Sequence, residues 1–286
     1  MSQPSNLATG DPALTIFVRH LVRGCALVLF AVVALPAAAH EFWLDPVSFT
    51  PKPGAVVPIL WRNGLNFLGD SYPYQRSWAK RFTVHDARGE RPVKGVEGDD
   101  PAVEVRLPVA GVAIVAFERS PDILEYKSVD QFLITLDYEG LDELARLYRA
   151  MTDPPAIVRE SYVRYAKTLL SIGAGPGEDH AIGLPFEIVV ETNPYTLASG
   201  RPLTARVVRD GKPAPDVLIK AFSLNDPQSP RRMRTDAAGR AVIEGVPAGE
   251  VLLNAVVMSP GDPKASNEKL RADWNSLWAS VTFKRK

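Results

Sequence analysis

Proline and glycine interrupt the chain wherever its apolar residues begin to alternate, and that rhythm limits it to short strands. Val103-Glu-Val-Arg-Leu107 has strict period two, with Val103, Val105 and Leu107 on one face. Pro108 to Gly111 then turns the chain into Val112–Phe117. The same alternation of run and breaker recurs along the chain, which holds 25 prolines in 286 residues. That is close to twice the ordinary ~5%. Proline is excluded from helix interiors and central strands, so a chain this rich in it favours short strands and many turns.

Residues 41 to 138 read as such strands, at a spacing that fits an antiparallel sandwich. Lys80–Asp86 alternates, and Gln131–Tyr138 reads as one more strand. From 141 the period changes. Leu141, Leu144, Leu147 or Tyr148, and Met151 recur at helical spacing, and Asp153-Pro-Pro155 ends that helix. A second helix is predicted over 156–172, with Tyr162, Tyr165, Ala166 and Leu169 on its apolar side. Gly173-Ala-Gly-Pro-Gly177 follows a helix in this reading and so is a cap or linker, because phosphate loops follow a strand and open a helix. Residues 184 to 286 return to strands. Asp210-Gly211 marks a hairpin, and Trp274–Phe283 places Leu277, Ala279, Val281 and Phe283 on one face. The predicted fold is mainly β: two β-sandwich domains of immunoglobulin or transthyretin type, 40–140 and 184–286, with a two-helix insert and Gly-rich linker at 141–183.

The first 39 residues read as an address. Arg19, His20 and Arg23 precede the apolar run Cys25–Leu35, and Ala37-Ala-Ala39 supplies a small-x-small cleavage site. The run is short for a membrane span of about 20 residues. A Sec-type signal peptide over 1–39 and a periplasmic location are therefore expected, with membrane attachment only through this segment if it is uncleaved. Removing 39 residues from 286 leaves 247 and makes His40 the first residue. The cut discards Arg19, Arg23 and Asp11, so 33 basic and 33 acidic residues become 31 and 32. Near-zero charge lacks the electrostatic footprint of a nucleic-acid binder. The cut also discards Cys25, the sole cysteine, which excludes disulfides and thiolate sites from the mature chain.

Two resemblances follow from motifs. Arg209-Asp-Gly-Lys-Pro213, Thr235-Asp-Ala-Ala-Gly239 and Val246-Pro-Ala-Gly249 resemble the turns of transthyretin-like or carboxypeptidase-regulatory-like sandwiches. Ala39-His-Glu-Phe-Trp-Leu44, Asn63–Asp70, Glu160–Lys167, Gly183–Glu187, Glu191–Tyr195 and Trp274–Phe283 together resemble a bacterial exported family of unknown function. Its members are often labelled periplasmic components of cobalt or nickel transport (NikM-like). The resemblance implies a metal-associated binding protein that works with an inner-membrane metal-uptake complex. The chain departs from the pattern at Val256-Val-Met258, where relatives carry a histidine, and in having a histidine first rather than second in the mature chain.

The residues themselves offer limited chemistry. Cleavage would give His40 an α-amine beside its imidazole, and the pair closes a six-membered chelate suited to Cu(II), Ni(II) and related ions. His85, beside Asp86, and His180, after Glu178 and Asp179, are the further candidate ligands. Met258 is a weaker axial candidate. No Gly-x-Ser-x-Gly elbow, His-Glu-x-x-His helix or calcium loop occurs. The chain therefore reads as non-enzymatic, and a terminal-histidine copper oxidase is the least remote enzyme reading. The alternative function is a metal-free interaction module that binds an envelope protein or carbohydrate. Trp61, Phe67, Tyr72, Tyr74 and Trp78 are either its contact surface or a plug in the end of a sandwich.

Overall fold

The computed structural model describes residues 41–286 apart from 174, 199 and 263–266. The leader, its cleavage site and His40 lie outside the described residues. Nine strands precede the Gly-rich run: β1 (Glu41–Pro46), β2 (Ala55–Leu65), β3 (Leu68–Tyr72), β4 (Ala79–Asp86), β5 (Gly89–Pro92), β6 (Val103–Leu107), β7 (Gly111–Arg119), β8 (Asp122–Tyr126) and β9 (Val158–Ile172). Between β8 and β9 lie α1 (Val129–Glu139) and α2 (Asp142–Arg149). Eight follow: β10 (Phe186–Val190), β11 (Leu203–Arg209), β12 (Lys212–Pro213), β13 (Leu218–Ser223), β14 (Asp226–Arg234), β15 (Arg240–Ile243), β16 (Gly249–Pro260) and β17 (Trp274–Arg285). Among the described residues no helix is long and apolar enough to cross a membrane.

One nine-stranded sheet runs through both halves of the chain in the order β14-β13-β16-β17-β9-β7-β4-β5, with β8 also on β9. Its halves meet where β17 pairs with β9 in parallel, Trp274 opposite Glu160 through Thr282 opposite Thr168. Two four-stranded sheets pack on its opposite faces. One is β1-β2-β3 with β6 on β2, and the other is β10-β11-β12 with β15 on β11. Strand β9 shows how one element serves both layers. Tyr165 and Leu169 join the core beneath β10 and β11, whereas Ala166 and Leu170 join the core beneath β1 and β2. Neighbouring strand residues point to opposite faces, so a strand buried on both sides must be apolar on both.

That double burial overturns the helix expected over 156–172, which is strand β9. Tyr162, Tyr165, Ala166 and Leu169 match helical spacing only because apolar residues occupy both faces of the strand. Gln131–Tyr138, expected as a strand, lies in α1. There the Ser128 hydroxyl accepts from Gln131 N at 3.3 Å, and Gly140 closes the helix in the left-handed conformation at φ 68°. The helix expected from Leu141 forms as α2. Val103, Val105 and Leu107 face one core together, as do Leu277, Ala279, Val281 and Phe283 the other. The Asp210-Gly211 hairpin turns with both residues at positive φ.

Candidate functional site

A buried charge beneath the sheet anchors the segment that carries His180. Lys167, on the same face of β9 as Tyr165 and opposite Ala116 of β7, is 1% exposed and lies 2.8 Å from Asp179 Oδ1 and 3.6 Å from Glu187 Oε2. Its ammonium also donates to Ile188 O and to His180 O. Asp179 Oδ2 accepts from Val190 N, and Glu187 accepts from the amides of Ile182 and Gly183. An ammonium costs heavily in a dry core unless fully paired, so these contacts fix the segment that carries His180.

His85 lies one residue before the end of β4 and faces the same side of the sheet as its neighbour Ile114, which belongs to the core beneath β10 and β11. Its Nε2 lies 2.9 Å from Thr83 Oγ1, and His180 Nδ1 lies 3.5 Å from Glu178 O. With those nitrogens protonated, His85 Nδ1 and His180 Nε2 hold the lone pairs. In that tautomer the other ring nitrogen of each is held by an outer partner, as metal-binding imidazoles require. Both histidines line one cleft of about 380 Å³, with Asp86, Glu90 and Glu178 also on its walls. Burial is the main force holding the His85 pKa below its ordinary value; Glu90 opposes it, and Arg81 and His180 reinforce it. The lowering favours the neutral imidazole, the form that binds metal.

The carboxylates of the cleft are differently placed. Arg91 grips Asp86 through both oxygens at 2.8 and 2.7 Å, and these hydrogen bonds hold the Asp86 carboxyl below its usual range. Glu90 pairs with Arg81 at 3.0 Å. Glu178 is exposed. Among the described residues no three His, Cys, Asp or Glu side chains are grouped to hold a metal ion. The cleft therefore offers two imidazoles, with Glu90 and Glu178 as nearby negative charge.

The described neighbour of His40 sits elsewhere. Glu41 is fully buried and accepts from Lys220 Nζ, the Tyr138 hydroxyl and Asn66 N. Lys220 also donates to Glu139 Oε1 at 2.7 Å and stands 3.8 Å over the Tyr138 ring. Burial, offset in part by Lys220, pushes Glu139 up to about 7. Lys220 lies on β13, five strands from β4 and on the opposite face from His85. At ~4.8 Å per strand the two are roughly 24 Å apart along the sheet. The structure brings His85 and His180 together and sets Glu41 apart from both. Met258 is partly buried against the helices.

The aromatic residues after β1 form a plug. Trp61, Phe67 and Tyr74 are buried, and Trp61 touches Tyr74, Trp78, Phe82 and Phe117. Asn66 and Phe67 form the β2–β3 turn at φ 56° and 64°, a strained conformation for phenylalanine. The ring of Phe67 is buried against Trp43. Gly64 and Gly69 face one another so closely that a Cβ on either would lie within 2.5 Å of the opposite backbone. Another buried acid, Glu160, accepts from Tyr126, Ser276 and Trp278. Sequence reading missed Lys167, Lys220, Glu139 and Glu160 as structural centres. The signal was a lone charge inside an apolar run, as in Leu218-Ile-Lys-Ala-Phe222.

The family described as a domain of unknown function, DUF4198, matches residues 37–259. The chain belongs to this family. The match spans β1 to β16 and so takes in the cleft and both buried lysine clusters. No curated protein matches. Among solved structures, one from a study of host cell surface retention of a 1.5-MDa bacterial ice-binding adhesin is 9% identical, with a TM-score of 0.22. It is matched over 86% of this chain and 64% of its own, so this chain spans just under two thirds of it. The D0–D1 domain of intimin is 12% identical over 85% of this chain and 97% of its own, with a TM-score of 0.19. A tetra-tandem repeat of a large adhesion protein is 11% identical over 86% and 50%, with a TM-score of 0.21. At these scores the likeness carries no argument, and the β-sandwich architecture rests on the strands themselves.

Proposed function

We propose that this DUF4198 chain is an exported, non-catalytic protein that binds a divalent transition metal, nickel, cobalt or copper, between His85 and His180. The observation that carries the reading is the convergence of two histidines, distant in sequence, on one cleft, each with a partner at its other ring nitrogen. The leader motif supports a periplasmic location. The motif resemblance to cobalt and nickel transport components supports those metals and an inner-membrane uptake complex as partner. The layering of β10 and β11 on β13, β16 and β17 is compatible with a transthyretin-like second half. His40 remains a separate terminal chelate candidate.

Titration of the mature protein with Ni(II), Co(II) and Cu(II) by calorimetry tests this. One cleft site is expected, weakened at least tenfold by His85→Ala and by His180→Ala, with His40→Ala reporting any terminal site. Unchanged affinity in the H85A/H180A double variant would refute the cleft assignment. The metal-free interaction reading keeps one observation in its favour: β14 is an exposed edge strand of the large sheet. Of its aromatic residues, Trp61, Phe67 and Tyr74 are buried, whereas Tyr72 and Trp78 stay half-buried. Capture of an envelope protein by the double variant in chelator would favour that reading.

A further inference from the structure

Lys167 and its two acids form a closed polar cluster inside an apolar core. The side chains of Lys167, Asp179 and Glu187 are each 1% exposed or less. Buried Ala116 and Val281 flank Lys167 in the large sheet. Lys167 Nζ stands 2.8 Å from Asp179 Oδ1, yet that oxygen accepts no hydrogen bond among the described residues. Nζ donates to Ile188 O and His180 O instead. The other oxygen, Oδ2, accepts from Val190 N at 2.8 Å. Glu187 Oε2 lies 3.6 Å from Nζ, and the amides of Ile182 and Gly183 fix its carboxylate. An amine, a carboxyl group and a second carboxylate able to carry a proton are thus together and shielded from water. A lysine amine is a strong nucleophile once a dry pocket favours its uncharged form. Groups held in such contact react with effective molarities of about 10⁵–10⁸ M.

We infer that Lys167 and Asp179 join in an intramolecular amide bond, with Glu187 as the proton carrier. One proton passes from the ammonium to Asp179 Oδ1, which leaves an amine and a carboxylic acid. The Nζ lone pair attacks Cγ, and the carbonyl electrons move onto Oδ2, where the Val190 amide stabilises the charge. Glu187 takes a proton from the nitrogen and passes it to the Oδ1 hydroxyl. The Cγ–Oδ1 bond breaks, the carbonyl re-forms at Oδ2, and one water leaves. Ammonium and carboxylate have become amide and water, with no change of net charge and nothing oxidised or reduced. Glu187 ends as it began. Lys220 is held differently: its ammonium stands 3.8 Å over the Tyr138 ring, which favours the cation. The cross-link ties β9 to the segment that carries His180, whether or not the cleft holds metal. A disulfide could not make that tie, because the chain has one cysteine.

Mass spectrometry of the mature chain, purified folded and then digested with trypsin, reads the bond directly. Trypsin cuts after a free lysine but not after an amidated one. The expected product is the peptide Tyr165–Arg206, uncut at Lys167 and lighter than its sequence by one water. Lys220, equally buried, should be cut as usual. Asp179→Asn keeps the shape of the electrophile and should change the loss from one water to one ammonia. Glu187→Gln removes the proton carrier and should leave the chain cut after Lys167 at full mass. A wild-type chain, folded by circular dichroism, that is cut after Lys167 at full mass overturns the inference. So does a loss of water with Lys167 still cut, which would mark a cyclic imide at an aspartate. A Glu187→Gln chain linked as completely as the wild type overturns the role given to Glu187.

Discussion

Glu139 shows what burial does to a single carboxyl. Two acids, Glu41 and Glu139, share one ammonium, and Glu139 Oε2 is buried without a hydrogen-bond partner among the described residues. Its pKa rises to about 7, from the ordinary value near 4.5. The native state therefore holds a proton that the unfolded chain releases above pH 4.5. Stability from this group is complete below pH 4.5, declines as pH rises, and is gone above 7. Glu139→Gln keeps the shape and removes the ionisation, while Glu41 still balances Lys220. The expected outcome is a flatter melting temperature between pH 5 and 7.5 and a higher one at pH 7.5, read by calorimetric scans. Thr83→Val makes the matching test at the cleft. It removes the partner of His85 Nε2 and should weaken metal binding about 10–100-fold while leaving the fold intact. Neither effect is visible in the sequence alone. Lys220 and Lys167 stand out there only as charges inside apolar runs, because their acids come from β1, α1 and the 178–187 segment. His85 and His180 were legible as residue types, but their meeting depends on strand order.

Strand β9 decides which elements the sequence can announce. Strands with one wet face, such as β6, declare themselves by alternation. β9 is apolar on both faces and borrows the spacing of a helix. Its centre is hydrogen-bonded to β7 on one side and β17 on the other, so each backbone amide there has a partner. Proline at Ala166 would remove a ladder donor and distort both neighbours. Ala166→Pro is expected to yield no soluble folded protein, whereas proline on exposed β14, which already carries Pro227 and Pro230, is tolerated. Circular dichroism and soluble yield read the contrast. The loop after β9 is pinned by Lys167, and Lys167→Met strands Asp179 and Glu187 in the core. Breaking such a buried pair costs about 3–5 kcal/mol. A denaturant titration should show that loss, and metal binding should fall with it because the segment bearing His180 loosens.

At the scale of the whole molecule, the parallel β17–β9 pair makes one sheet out of both halves of the chain. Two sandwiches were legible as runs of short strands on either side of a helical segment, and the structure has those layers. Their shared sheet was not legible, because a pairing between strands more than a hundred residues apart leaves no local pattern. A fragment starting at 184 would expose the β9-facing edge of β17, and a fragment ending at 183 would expose the matching edge of β9. Both are expected to aggregate alone, and the intact chain to unfold in one transition. Fold and cleft are linked in the same way. The large sheet supplies His85 from β4 and Lys167 from β9, and Lys167 holds the segment that presents His180. The most direct test is anomalous diffraction at the nickel edge from crystals of the mature protein grown with Ni(II). The account predicts a peak about 2.0–2.2 Å from ring nitrogens of both His85 and His180. A peak elsewhere, with that cleft empty, would contradict it.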